Sequence, residues 1–304
     1  MRSHEDEELD VEKEEPDGYF PWELQSWSVQ IAPIDKILFH YTSFEAAASI
    51  IDNKTIWASE ISYLNDESEF RYALDLIVSR LNEHPERDLL QPTLRLLERL
   101  DKLSGFRPYV ASFSEDGDSL SQWRGYCTKG SGVSLGFDGS FLIQQIREFS
   151  DKNYSRKSVI TRCIYDEQDQ IKQIDGVIEQ FARAFKADNS NSLNKYFSFA
   201  VTLSELAPTI KNRAFKEEAE WRIIATIWPA EEATVPVKYR PVKSLLIPYV
   251  EIGLPLTDLA IPVVFVAPNP HRDLSCESVR RFLNAKLGTK SDVVRLSTIP
   301  YRDW

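Results

Sequence analysis

Phe215-Lys216-Glu217-Glu218-Ala219-Glu220-Trp221-Arg222-Ile223-Ile224 sets two carboxylates, Glu218 and Glu220, two residues apart at the head of an apolar run that continues to Trp228. On an extended strand, residues i and i+2 share a face, so the spacing predicts both acids looking out together from the mouth of a strand that Glu220 opens. Like charges held that close need a positive answer. Two answers are open. One is the developing cation of a reacting centre; the other is Arg222, next on the same alternating face, in a structural ion pair. Two further groups lie upstream: His40, and the serine motif Ser112-Phe113-Ser114.

The elements that must carry these groups follow from periodicity. Lys36 to Thr42 reads as a strand, with Ser43 capping an alanine-rich helix from Phe44 to Asn53. Thr55 to Ser59 is a short strand. Tyr63-Leu64-Asn65-Asp66 turns into a helix on which Phe70, Ala73, Leu74, Ile77 and Leu81 share a face. A leucine-rich helix runs from about Gln91 to Leu103. Strands are expected over Pro108–Ser114, Gly132–Phe137 and Ser158–Tyr165, and helices over Phe141–Phe149, Asp166–Lys186 and Leu193–Leu206. After the Glu218 stretch come short strands near Val235–Tyr239, Ser244–Val250 and Val263–Ala267. A helix over Ser275–Leu287 and a strand over Asp292–Leu296 close the chain. Helices and strands mix without a regular beta-alpha beat and without an internal repeat, which predicts an α+β fold rather than a doubly wound sheet.

Charge is unevenly placed. Residues 1 to 17 hold nine acids against two bases, so this segment carries −7 of the chain's −11. Residues 1–18 are therefore expected to be a disordered acidic tail, and residues 19–304 one domain. The rest of the chain is only mildly acidic, so a broad phosphate-tracking surface is not expected, while a local basic patch stays open. Three cysteines, Cys127, Cys163 and Cys276, show no metal-ligand spacing and read as buried thiols of a reducing compartment. No run reaches membrane-spanning length, and a cytoplasmic protein without a membrane partner is expected.

The motifs together resemble a bacterial domain-of-unknown-function family. Its marks stand here as His40-Tyr41-Thr42, Asn65-Asp66 with Glu69, Ser112-Phe113-Ser114, Trp123 with Tyr126, Phe215 to Arg222, and Ser297-Thr298-Ile299-Pro300-Tyr301-Arg302. This resemblance spans about residues 37 to 302 and supplies no activity. More loosely, the order His40, Ser112 or Ser114, Glu218 and Glu220 resembles the ADP-ribosyltransferases, with a histidine on the first core strand, a serine on a middle strand and Glu-x-Glu before a late strand.

That second resemblance implies an ADP-ribosyltransferase-like split, mixed or antiparallel sheet with surrounding helices. It implies NAD as substrate, no metal, and an unknown protein or nucleic-acid acceptor, in a role such as a bacterial toxin or phage defence. His40 would bond a ribose hydroxyl, the Tyr41 backbone would hold the nicotinamide amide, and Thr42 and Asn65 would join the binding surface. Ser112 or Ser114 would brace the site. Glu220 would act on the nicotinamide ribose and Glu218 would orient the acceptor. Tyr63, Trp123 or Tyr126 would stack on the nicotinamide, and Arg124 or Arg71 would meet the pyrophosphate. The chemistry is coherent: cleavage of the N-glycosidic bond makes an oxocarbenium-like sugar, which a preorganised carboxylate stabilises. A NAD glycohydrolase, with water as acceptor, and a non-catalytic recognition module on the same fold are the rival readings. Read without the resemblance, His40 is a half-buried strand histidine bonded to a carbonyl, and Asn65, Asp66 and Glu69 are a helix cap.

Overall fold

The first strand, β1 (Ile37–Thr42), falls where a strand was expected, and Ser43 caps the helix after it, α1 (Phe44–Asn53). Its Oγ accepts from the Ala46 amide at 3.2 Å, which satisfies one orphan donor of the first turn. Lys54, at φ 54°, swings the chain from α1 into β2 (Thr55–Glu60). The chain is described here by a computed structural model covering residues 34–64, 67–100, 107–127, 131–153, 158–187, 193–227, 235–242, 244–289 and 291–300. The acidic segment, the aromatics Tyr19 to Trp27, Asn65, Asp66, Trp228, Tyr301 and Arg302 lie outside the described residues.

Two helices follow β2. In α2 (Glu67–Glu83) the stripe Ala73, Ile77 and Leu81 is buried; in α3 (Arg87–Leu100) it is Leu90, Leu94 and Leu97. Helix α3 begins four residues before the expected Gln91, with Pro92 in its second turn. Then come β3 (Arg107–Ser114), α4 (Leu120–Tyr126), β4 (Val133–Asp138), α5 (Gly139–Asn153), β5 (Ser158–Arg162), α6 (Glu167–Ala187) and α7 (Leu193–Leu206). Two 3-10 turns, Ala207–Thr209 and Arg213–Glu218, lead into β6 (Glu220–Ile227). The rest is β7 (Lys238–Val242), β8 (Leu245–Gly253), β9 (Val263–Val266), α8 (Arg272–Leu287) and β10 (Val294–Leu296). The fold is α+β: one large mixed sheet, antiparallel between neighbours except where β9 meets β10, with flanking helices.

The sheet forks at β3. Strand β6 fills one edge of β3 along its whole length, from Arg107↔Ile227 to Ser114↔Glu220, and β5 pairs beyond it. The other edge is shared. β1 meets it at Phe39↔Ser114, while β2 meets it at Val110↔Ser59 and Tyr109↔Glu60. Strands β4, β9 and β10 extend the β1 arm, and β8 and β7 extend the β2 arm.

The main core lies on the face that carries Leu38, Ala58, Ala111, Phe113 and Ile223. Helix α1 covers it with Ile50 and Ile51, α5 with Leu142 and Ile146, and α8 with Leu283. A smaller cluster, Val110, Ile224 and Ile61 with Phe70 against it, sits on the opposite face toward α2. Helices α6 and α7 join through Phe181 stacked on Phe199, centroids 4.3 Å apart. All three cysteines are buried free thiols.

Candidate active site

A cleft of about 410 Å3 opens at the fork and takes lining from both arms and both faces of the sheet. From β1 come His40, Tyr41 and Thr42; from β2, Trp57 and Ser59; from β3, Ser112; from β6, Glu220 and Arg222. Lys211, Glu218, Tyr63, Tyr126 and Arg240 complete its polar and aromatic wall. The groups singled out from the first strand, the middle strand and the Glu-x-Glu motif therefore meet in one cavity.

His40 occupies the gap between the arms. Its Nδ1 lies 2.9 Å from the Ser112 carbonyl oxygen, on the stretch of β3 that neither β1 nor β2 pairs. A carbonyl only accepts, so Nδ1 carries the hydrogen and Nε2 keeps its lone pair. Among the described residues Nε2 has no protein partner. Burial pulls the imidazole below its ordinary pKa, against the opposing effect of the Ser112 bond, so the ring is neutral at pH 7. Phe113 fixes its tilt, with ring centroids 5.6 Å apart.

Glu220 is held from every side. Its amide donates to the Tyr165 hydroxyl at 2.8 Å, and its carbonyl accepts from the Cys163 amide at 2.9 Å. Arg222 Nε donates to Oε1 at 2.8 Å and Arg222 Nη2 to Oε2 at 3.0 Å, while Lys211 Nζ reaches Oε2 at 2.7 Å. The carboxylate is only 6% exposed. Burial opposes its ionisation, but the Arg222 guanidinium and then the Lys211 ammonium outweigh it and hold its pKa down to about 2. Arg222 spends Nη1 on the Pro208 carbonyl at 2.8 Å.

Glu220 opens β6, but the extended backbone that the i, i+2 reading needed at Glu218 is absent. Glu218 ends the 3-10 turn Arg213–Glu218, and Ala219 between the two acids is left-handed at φ 44°. Their convergence comes instead from Lys211, whose Nζ also donates to Glu218 Oε2 at 2.7 Å. Glu218 keeps 20% of its side chain exposed, against 2% for Lys211. The backbone of Lys211 is itself anchored: its amide donates to the Ile164 carbonyl, and its carbonyl accepts from the Gln170 side-chain amide at 2.8 Å.

Other nominated residues fall elsewhere. Ser114 is buried and off the cleft; its Oγ donates to the Glu218 carbonyl at 2.7 Å, so it braces the turn. Trp123 is 1% exposed, packs edge-on against Tyr41 at 4.7 Å and donates Nε1 to Asp118, so no face of it is open to a ligand. Tyr63 and Tyr126 line the cleft and are exposed. Arg124 and Arg71 are exposed and line no part of it. The Tyr41 hydroxyl donates to the Asp116 carbonyl at 2.8 Å and accepts from the Ser119 amide at 2.9 Å, which shapes the wall behind His40. Lys211 and Arg240 escaped the sequence reading: they come from segments without motif spacing and enter the cleft through a turn and an edge hairpin, whereas Ser59 ends the expected short strand Thr55–Ser59.

Residues 122–223 match a family described as "Protein of unknown function (DUF2971)". The matched stretch, about a third of the chain, contains Gln122, Tyr126, Lys211, Glu218, Glu220 and Arg222, and leaves out His40, Ser112 and Arg240. No curated protein and no solved structure matches the chain.

Proposed function

We propose that the chain is an NAD-using, ADP-ribosyltransferase-like enzyme that breaks the bond between nicotinamide and ribose. One observation carries the reading: a neutral imidazole with an open Nε2, a serine and a carboxylate pair, from three separate parts of the sequence, line a single cleft. His40 Nε2 accepts from a ribose hydroxyl, and Tyr63 or Tyr126 stacks on the nicotinamide. As the bond between the anomeric carbon and the nicotinamide nitrogen breaks, its electron pair leaves with neutral nicotinamide. Positive charge grows on the sugar, and Glu220, fixed and ionised, stabilises it. An acceptor hydroxyl, amine or water then bonds to the anomeric carbon and yields its proton to Glu218. Glu220 is too weak a base for that last role, because Arg222 and Lys211 hold its pKa near 2.

The same lock favours a second reading. A carboxylate with both oxygens occupied by cations also suits a cleft that only recognises its ligand, with the Glu220 cluster as its scaffold. Incubation with NAD separates the two. The enzyme releases free nicotinamide, alone if water is the acceptor and only with cell extract if a macromolecule is. Glu218→Gln, at the more exposed acid, abolishes release while the protein stays folded. Glu220→Gln also abolishes it, but takes the carboxylate from Arg222 and leaves Lys211 only Glu218, so its melting curve is recorded alongside. Absence of nicotinamide release under both conditions overturns the enzymatic reading.

A further inference from the structure

Arg240 stands apart from every other cation of the cleft. Lys211 and Arg222 are neutralised by Glu218 and Glu220. Arg240 has no carboxylate partner among the described residues: its only hydrogen bond is from Nη2 to Ser59 Oγ at 3.3 Å, and its Nε is buried with no partner at all. The nearest acid in sequence to Ser59, Glu60, is taken by Arg107 at 3.1 Å. A half-buried guanidinium without an anion carries a cost, and burial accordingly holds its pKa below the ordinary arginine value. On an edge strand the residue had an easy route to solvent. Instead Arg240 and Val242 form the inward face of β7, opposite Ile247 of β8, and all three line the cleft.

The geometry points to Arg240, with the Ser59 hydroxyl beside it, as the anion subsite of this cleft, and to a phosphoryl group as its ligand. A guanidinium presents parallel donors that match two phosphoryl oxygens, and a neighbouring hydroxyl adds a third. The subsite lies on the β2 arm, level with Val110, whereas Glu220 pairs with Ser114. Four residues along β3 separate the two levels, about 13 Å at strand rise. The cleft is thus bipolar, with fixed carboxylates and His40 at one end and an unanswered cation at the other. It suits an extended ligand with an electropositive reacting end and an anionic remainder. Placing the diphosphate of NAD on Arg240 rests on the function proposed above; the anion subsite itself does not. Arg124 and Arg71, the arginines nominated from the sequence, lie off the cleft.

The test is calorimetric titration of inorganic pyrophosphate into the full chain at low ionic strength. Wild type binds; Arg240→Gln weakens binding at least tenfold; Arg240→Lys weakens it less; Arg124→Gln leaves it unchanged. The melting temperature of Arg240→Gln is equal to or above wild type, because the substitution removes a charge that no carboxylate answers. Should Arg240→Gln fail to fold, Arg240→Lys and Ser59→Ala carry the measurement, each expected several-fold weaker than wild type. No binding by wild type, or equal binding by wild type and the Arg240 variants, overturns the subsite. Equal competition by acetate overturns the phosphoryl assignment. Pyrophosphate has neither ribose nor nicotinamide, so failure of NAD cleavage with Arg240-dependent binding intact would sink the enzymatic reading and leave the subsite standing.

Discussion

Lys211 and Glu220 meet at 2.7 Å in the protein interior, across a 3-10 turn and a left-handed alanine. The same ammonium holds Glu218, and Arg222 grips Glu220 from its other side, so two acids and two bases form one cluster. Removing one member leaves a buried charge unanswered. Lys211→Met is expected to destabilise the fold by roughly 3–5 kcal/mol, read by urea denaturation. Lys211→Met combined with Glu220→Gln should cost less than the two separate losses added together, because the groups act as a unit.

Acid sensitivity follows from the same cluster. The Glu220 carboxyl titrates at about 2 in the folded chain against 4.5 for an unperturbed one. Its folded pKa is depressed, so its contribution is complete above pH 4.5 and fades as pH falls toward 2. The gap corresponds to roughly 3 kcal/mol. Denaturation midpoints measured down that range should fall steeply for wild type and much less for Glu220→Gln.

Asp118 clamps the last described segment to α4. Its Oδ1 accepts from Trp123 Nε1 and Ser297 Oγ, and its Oδ2 from the Thr298 amide at 2.7 Å and hydroxyl at 2.8 Å. Burial opposes its ionisation, but these donors together hold its pKa below the ordinary aspartate value. Asp118→Ala would orphan several of them at about 1–3 kcal/mol for each buried donor left unmet. Hydrogen exchange should report the loss first at Ser297 to Ile299, ahead of the sheet.

Ala219 links the acids at φ 44°, where a Cβ crowds the carbonyl and costs on the order of 1 kcal/mol. Ala219→Gly should leave stability level or raise it by up to about 1 kcal/mol, since relief of strain exceeds the added freedom of the unfolded chain. Ala219→Val should lower it clearly. Thermal melts of the three proteins decide the order.

The strands that carry the site were legible as short apolar runs rich in β-branched and aromatic residues, Ile37–Thr42 and Trp221–Ile227, and Ser43 announces α1 through its hydroxyl. Glu218 and Glu220 were legible as a pair but not in their geometry: a period-two argument holds only while the backbone is extended, and Ala219 breaks it. Lys211 was hidden because its partnership runs through tertiary contacts with Ile164 and Gln170, which no local spacing encodes. Trp123 misled for the opposite reason. It is buried, with Asp118 on its Nε1 and Tyr41 packed edge-on against it. Arg240 carried no signal, because an inward-facing arginine on an edge strand reads like any solvated charge.

His40 gives the sharpest check on how the cleft works. Its ring is neutral in the fold because burial disfavours the cation, so its folded pKa lies below the unfolded 6.5. Stability from this depression is complete above pH 6.5 and is lost as pH falls through the folded value. In solution spectra the His40 ring resonance should hold steady through pH 6.5 and move only at lower pH. If Nε2 accepts from a ligand hydroxyl, ligand affinity must fall in that same lower window, since a protonated Nε2 can no longer accept. His40→Asn retains a side-chain donor for the Ser112 carbonyl and should stay folded, yet it should weaken NAD binding by about 1–2 kcal/mol, the scale of one hydrogen bond left unmade. An affinity that His40→Asn does not change, or that declines already at pH 6.5, would place the ligand away from the gap between the two arms.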